Sequence, residues 1–157
     1  MDQAQIVKEI EKARVREAIV RQLDGGDYPD YRMMRDQLAD EVTIDFGGVQ
    51  PRLTQTAEAL VQYAQNVHGK LNVVQHHVMN QQVEISGDEA TCLSKGIAYN
   101  EHPVSQGEGY WLLYCRYEHG LRKIDGKWKI TRIKMTPLHS DGNSNLLQQF
   151  EKDRKSK

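Results

Sequence analysis

Cysteine is scarce: Cys92 and Cys115 are the only two in 157 residues. Both fall in strand-like runs without a ligand-spaced partner, which reads as reduced, buried thiols and argues against a disulfide framework or a zinc site. Charge of one sign is also missing. Lys plus Arg total 21 against 22 Asp plus Glu, a net charge of −1, so no positive field points to nucleic acid. The basic tail from Lys152 to Lys157 is short and reads as a solvated terminus. No apolar run approaches the roughly 20 residues that span a bilayer, and the opening MDQAQIVKEIEKARVREA is too charged for a signal peptide. A soluble, cytoplasmic protein is the expectation, with neither nucleic acid nor membrane as partner.

Other signatures are absent too. The histidines away from the central strand (His68, His102, His119 and His139) show no HxxxH or HxH spacing, so no metal is expected. Gly47-Gly48 and Gly107-x-Gly109 lack the flanking residues of a phosphate loop or dinucleotide fingerprint and read as turns. Without GxSxG or an activated serine or cysteine, covalent acyl chemistry has no carrier. No cofactor is implied. Arg132 and Lys134 share a strand parity, which reads as a solvated face. There is no repeat and no low-complexity linker, and the length suits one domain.

What is present begins with helices. Asp2 can cap a helix to about Leu23, with Ile6, Ile10, Ala13 and Val20 on one face and Val15, Ile19 and Leu23 adding a second late on; its C-terminal half should be the buried half. Gly25-Gly26 is expected to stop it, with Asp24 at the stop. Asp27 and Pro29 then look like the start of a short helix through Leu38. Val42 to Phe46 reads as a strand, and Thr54 or Thr56 as the opening of a third helix closed by Gly69. From Leu71 the period changes to that of strands, with turns at Gly87-Asp88 and Asp125-Gly126 and a loop from His102 to Gly107, giving an antiparallel meander. One parity of the second long strand (Ala90, Cys92, Ser94, Gly96, Ala98) is small throughout, so a bulky element should approach it, the first helix being the candidate. Both parities of the strand from Tyr110 are apolar, which implies burial of the outer face in a homodimer or homotrimer through the sheet. Residues 1–140 form the domain and 141–157 a tail, partly helical or flexible, that can lie over a pocket mouth.

The dense cluster of proton-transfer groups is LNVVQHHVMN, Leu71 to Asn80. Strand side chains alternate, so without a bulge only one of His76 and His77 faces an interior pocket. Two readings stand: ordinary sheet histidines, or a pocket base. Helices followed by a curved antiparallel sheet give an α+β cone with an apolar pocket. Into it His76 and Asp24 can both point, the aspartate fixing the tautomer of the imidazole.

Four segments resemble the SnoaL-like branch of the nuclear-transport-factor-2-like superfamily: Asp24-Gly25-Gly26-Asp27-Tyr28, Leu38-Ala39-Asp40-Glu41-Val42, Gln75-His76 with Asn80 and Gly87-Asp88-Glu89-Ala90, and Asp125-Gly126-Lys127-Trp128-Lys129-Ile130. The resemblance implies a cone-shaped α+β barrel and, from the dehydratase and dehydrochlorinase members, a catalytic pair at Asp24 and His76. Several dehydratases carry a tyrosine somewhat more than one helical turn before the aspartate; here that position is Ile19. Where members often place another His or Asp on the following strand, this chain has Asn100, which can orient a substrate oxygen but exchanges no proton. Tyr28, Tyr31, Tyr99 or Tyr114 is left to supply a phenol, and the sequence does not choose among them. The resulting expectation is a cofactor-independent lyase or isomerase acting on a small apolar cyclic or polyketide-like molecule. A non-catalytic binding module of the same fold, holding a small hydrophobic molecule or a protein partner, is the alternative.

Overall fold

The structure, a computed structural model, describes residues 2–47 and 52–156; Gly48, read above as half of a turn, lies outside them. The chain runs α1 (Gln3–Asp27), α2 (Tyr31–Asp36), β1 (Leu38–Asp45), β2 (Leu53–Thr56), α3 (Ala57–Asn66), a 3-10 turn (His68–Lys70), β3 (Val73–Ser86), β4 (Glu89–Glu101), β5 (Tyr110–Ile124), β6 (Lys127–Gly142) and α4 (Leu146–Lys155). One six-stranded sheet in the order β2-β1-β6-β5-β4-β3 carries the helices, the expected cone-shaped α+β architecture. The long meander β3 to β6 is antiparallel, as its hairpin turns require. The sheet as a whole is mixed, because β1 pairs parallel with β6, a contact between strands far apart in sequence. The short strand β2, which pairs antiparallel with β1, was not anticipated. Among the described residues no helix is long and apolar enough to cross a membrane.

Asp2 caps α1 through a capping box with Gln5. Its buried residues, Val15, Ala18, Ile19, Gln22, Leu23, Gly25 and Gly26, all lie in its C-terminal half. Ile6 and Ile10 near its start are each 46% exposed. Contrary to expectation, Gly25-Gly26 does not end the helix, which continues to Asp27. The glycine is needed for packing: a Cβ on Gly25 would lie 2.5 Å from the Met34 amide nitrogen and 2.8 Å from the Asp30 carbonyl oxygen. The backbone of α2 therefore crosses α1 at a place where only a bare backbone leaves room. The second helix starts later than predicted, at Tyr31, with the Asp30 carboxylate accepting from the Met33 amide. Thr56 caps α3.

The strand β3 explains how one of two adjacent histidines is chosen. Val74, His76 and Val78 face inward, yet further on Val83 and Ile85, of opposite parity, do so. A bulge between Met79 and Gln82, with Asn80 at φ 55°, inserts the residue that switches the parity; asparagine tolerates this left-handed conformation better than most residues. His76 is thus turned inward and His77 outward. The small face of β4 is buried as expected, but at Gly96 the bulky neighbour is Tyr117 of β5, whose ring a Cβ would strike. Cys92 and Cys115 are free and buried in the same core. Leu146 and Phe150 bury one side of α4.

The two adjacent glycines of α1 are expected to respond oppositely to alanine. Gly25→Ala should destabilise by about 1–3 kcal/mol through overpacking. Gly26→Ala meets only the Met34 sulfur at 3.9 Å and should be neutral or stabilising by up to about 1 kcal/mol, since glycine is a poor helix residue. Urea denaturation of both variants checks the pair; equal destabilisation would contradict the packing role assigned to Gly25.

Candidate functional site

The end of α1 meets the middle of β3 through one carboxylate. Asp27 Oδ2 accepts the His76 backbone N–H at 2.6 Å, and Asp27 Oδ1 lies 2.7 Å from His76 Nδ1. The Asp27 side chain is 5% exposed and that of His76 15%. A carboxylate only accepts, so His76 carries its hydrogen on Nδ1, and Nε2 is left with its lone pair.

This pair lines a cavity of about 90 Å³ together with Gln22, Leu60, Tyr63, His68 and Tyr117. Most of the remaining wall is apolar, including Leu23, Met34, Phe46 and Ile133. The His68 ring stands 5.8 Å from that of His76 and makes an edge contact with Tyr63. Burial, reinforced by the neighbouring His76, lowers the His68 pKa to about 4, so the ring is uncharged at neutral pH. Burial raises Tyr117 well above the usual phenol value and keeps its hydroxyl protonated. A larger groove of about 610 Å³ between α3 and α4 shares Tyr63 as a wall with the small cavity and continues over Val67, Trp111 and Leu147. Among the described residues no group of three or more His, Cys, Asp or Glu is placed to hold a metal ion.

The carboxylate on His76 is Asp27, and the expected Asp24–His76 pair does not form. Gln22, Leu23, Gly26 and Asp27 line the cavity. At about 100° per residue they span an arc of about 140°, and Asp24 falls some 60° outside it. Among the described residues the Asp24 side chain makes no hydrogen bond or ion pair; its carbonyl accepts the Tyr28 N–H at 2.8 Å. Moving the partner from Asp24 to Asp27 also moves the position at which dehydratases carry a tyrosine, from Ile19, fully buried on the same arc, to Gln22. None of the four tyrosines put forward to supply a phenol or contact the substrate (Tyr28, Tyr31, Tyr99 and Tyr114) lines the cavity. Tyr28 is 67% exposed at the helix end. Tyr99 donates to Glu101 and stacks on Tyr110, while Tyr114 is 41% exposed beside His139. Tyr31 packs against the core. The phenols on the cavity are Tyr63 and Tyr117, the latter visible in the sequence only as one more inward residue of β5. Asn100 is 4% exposed on the inner face of β4, two residues beyond Ala98, the cross-strand neighbour of His76, and its Oδ1 has no protein partner. His68, set aside in the sequence as scattered, reaches the site because the 3-10 turn after α3 delivers it there.

The description "SnoaL-like domain" matches residues 10–134, most of the chain and the whole of the site apart from α4. The chain belongs to the SnoaL-like family. No curated protein matches its sequence. Among solved structures this SnoaL-like chain is similar to the Kfla4162 protein of Kribbella flavida, with 22% identity, a TM-score of 0.83, and coverage of 90% of this chain and 99% of that one. A putative scytalone dehydratase from Novosphingobium aromaticivorans shares 15% identity over 88% of this chain and 91% of its own, at a TM-score of 0.76. Hexachlorocyclohexane dehydrochlorinase LinA-type3 from Novosphingobium barchaimii shares 15% over 89% and 94%, at 0.75. At these identities the likeness is one of fold.

A second buried histidine lies behind the cavity wall. His119 is fully buried beside Tyr117 and opposite Ile133, neither ring nitrogen has a partner, and burial lowers its pKa to about 4. Unfolded, such a group returns to about 6.5. Between those values the unfolded chain binds the extra proton, so stability is complete above about pH 6.5 and falls as pH drops towards 4. The difference, 6.5 − 4 = 2.5, amounts to about 3 kcal/mol for His119. His119→Leu is expected to flatten the loss of stability between about pH 6.5 and about pH 4.5 by an amount of that order, read from urea midpoints. An unchanged slope would place the acid sensitivity elsewhere.

Proposed function

We propose that the protein is a cofactor-independent lyase or isomerase that acts by removing a proton from carbon in a small, mostly apolar cyclic or polyketide-like molecule. The observation that carries this reading is the 2.7 Å contact between Asp27 and His76 Nδ1 inside an apolar cavity. His76 Nε2 takes the proton. The imidazolium so formed stands against the Asp27 carboxylate, which favours its charge and holds the ring in place. The electron pair released from the C–H bond moves into the substrate. In an elimination it expels a leaving group from the adjacent carbon, and in an isomerisation it takes the proton back at a different carbon. Where the negative charge develops on a carbonyl oxygen, the protonated Tyr117 hydroxyl on the cavity wall is the donor, and Asn100 lies two residues further along β4 from the cross-strand neighbour of His76. Asp27 takes the role that the sequence alone assigns to Asp24.

The test is dehydration of small cyclic β-hydroxyketones, with solvent deuterium exchange at the acidic carbon as a second readout. His76→Ala and Asp27→Asn should each lower the rate by about 10²–10⁴, while Asp24→Asn leaves it within about twofold of wild type. Activity lost with Asp24→Asn and kept with Asp27→Asn would reverse the assignment. Activity kept with His76→Ala would leave the binding-module reading in its place.

A homodimer or homotrimer through the outer face of the sheet is part of the same proposal. Met79, Leu93, Tyr114 and Leu138 are each at least 40% exposed on β3, β4, β5 and β6, an apolar set that association would cover. Light scattering should give twice or three times the mass of the chain for the wild type, and that of a single chain for a Leu93→Lys, Leu138→Lys variant. A monomeric wild type would remove this part.

A further inference from the structure

On the wall of the cavity that holds the Asp27–His76 pair, Gln22 has no task in that chemistry. Gln22 sits on α1 five residues before Asp27, is 6% exposed, lines the cavity, and its Oε1 has no hydrogen-bond partner among the described residues. Of its polar neighbours, Asp27 is bonded to His76, and the His68 ring stands 5.8 Å from that of His76 and 5.5 Å from that of Tyr63. A buried carbonyl oxygen without a donor is costly, and folded proteins retain one where something outside the chain satisfies it.

The space available restricts what that is. About 90 Å³ is less than the roughly 150 Å³ that holds a benzene molecule. A ring therefore does not fit whole beside the pair and presents only one edge to it. That edge meets Gln22 on the helix side and His76 on the strand side. A methyl or bare C–H against Gln22 leaves the oxygen unpaired, whereas an O–H satisfies it.

We propose that Gln22 is a specificity-determining contact of this cavity, selecting an apolar ring that carries a hydroxyl, whose O–H donates to Gln22 Oε1 while a neighbouring C–H faces His76. The orientation of the C–H rests on the proton-abstraction reading above; the selection for a hydroxyl does not. Carbonyl-bearing molecules without a hydroxyl are the poorer class, because acceptor would face acceptor.

Phenol and toluene, which differ by hydroxyl against methyl on the same ring, are the probes. Their dissociation constants are measured by NMR titration, followed at the methyls of Leu60 and Ala64, for wild type, Gln22→Met and His76→Phe. Wild type should bind phenol about tenfold to a hundredfold more tightly than toluene. Gln22→Met should bring the two together while still binding toluene, which also reports that the cavity is intact, and His76→Phe should keep the preference. Gln22→Leu replaces the methionine variant if that one does not fold. Equal affinities in wild type, or binding of neither probe, would overturn the proposal, since an internal water or nothing at all would then satisfy Gln22. So would a phenol preference that survives Gln22→Met and disappears in His76→Phe, for the hydroxyl would then dock on the imidazole. Failure of the proton-abstraction reading appears separately, as retained turnover in His76→Ala, and leaves the phenol-to-toluene ratio untouched.

Discussion

The Asp27 carboxylate joins helix to sheet, and the position of the site depends on it. It lies at the C-terminal end of α1, where the helix dipole disfavours negative charge by about 0.3–1 kcal/mol. Burial adds to that cost. Two donors from one residue of β3, the backbone N–H and the Nδ1–H of His76, offset both, and hydrogen bonds to a charged group contribute about 1.5–3 kcal/mol each. The backbone bond fixes where the strand stands relative to the helix end, and the ring bond fixes how the imidazole is turned. A residue that holds the fold together at this junction therefore also sets which nitrogen of His76 is open to a ligand.

The same junction shows how far the sequence was legible. The switch of period at Leu71, the hairpin turns and the buried half of α1 all follow from local patterns, which is why the long strands of the meander are found in their order. His76 facing inward was open to reading as well, because Val74, His76 and Val78 share a parity and Val83 and Ile85 take the other one after Asn80. The partner was not legible. Gly25-Gly26 carries the local signal of a helix end, and the reason it is not one lies in α2, whose backbone needs the space. Ending the helix early leaves Asp24 as the terminal acid; continuing it one turn gives that place to Asp27. Long-range contacts of this kind, like the parallel pairing of β1 with β6 and the arrival of His68, leave no trace in the period of a single segment.

Electrostatically the cavity holds one ionisable couple in neutral surroundings. Burial keeps His68 uncharged and Tyr117 protonated, so no second charge competes with Asp27 for the imidazole. Charge interactions are stronger in such a medium than in water, which makes the carboxylate more effective in stabilising an imidazolium and makes any unpaired polar group more costly. These two consequences have the same origin and act on different residues. The first bears on His76, the second on Gln22 and Asn100, whose oxygens are left without protein partners on the inner surface.

Shape divides the labour in the same way. A chamber of about 90 Å³ at the pair and a groove of about 610 Å³ share Tyr63 as a wall, and under the proposed reaction the chamber takes only the reacting edge of a molecule. Discrimination by size is weak in the groove, where an added methylene changes binding by only about 1–3 kcal/mol. Discrimination by hydrogen bonding is strong in the chamber, where Gln22 is 6% exposed and a mismatch leaves its oxygen unpaired. For the proposed reaction, such a site would tolerate variation in the body of a substrate and be strict about the polar groups next to the bond that breaks.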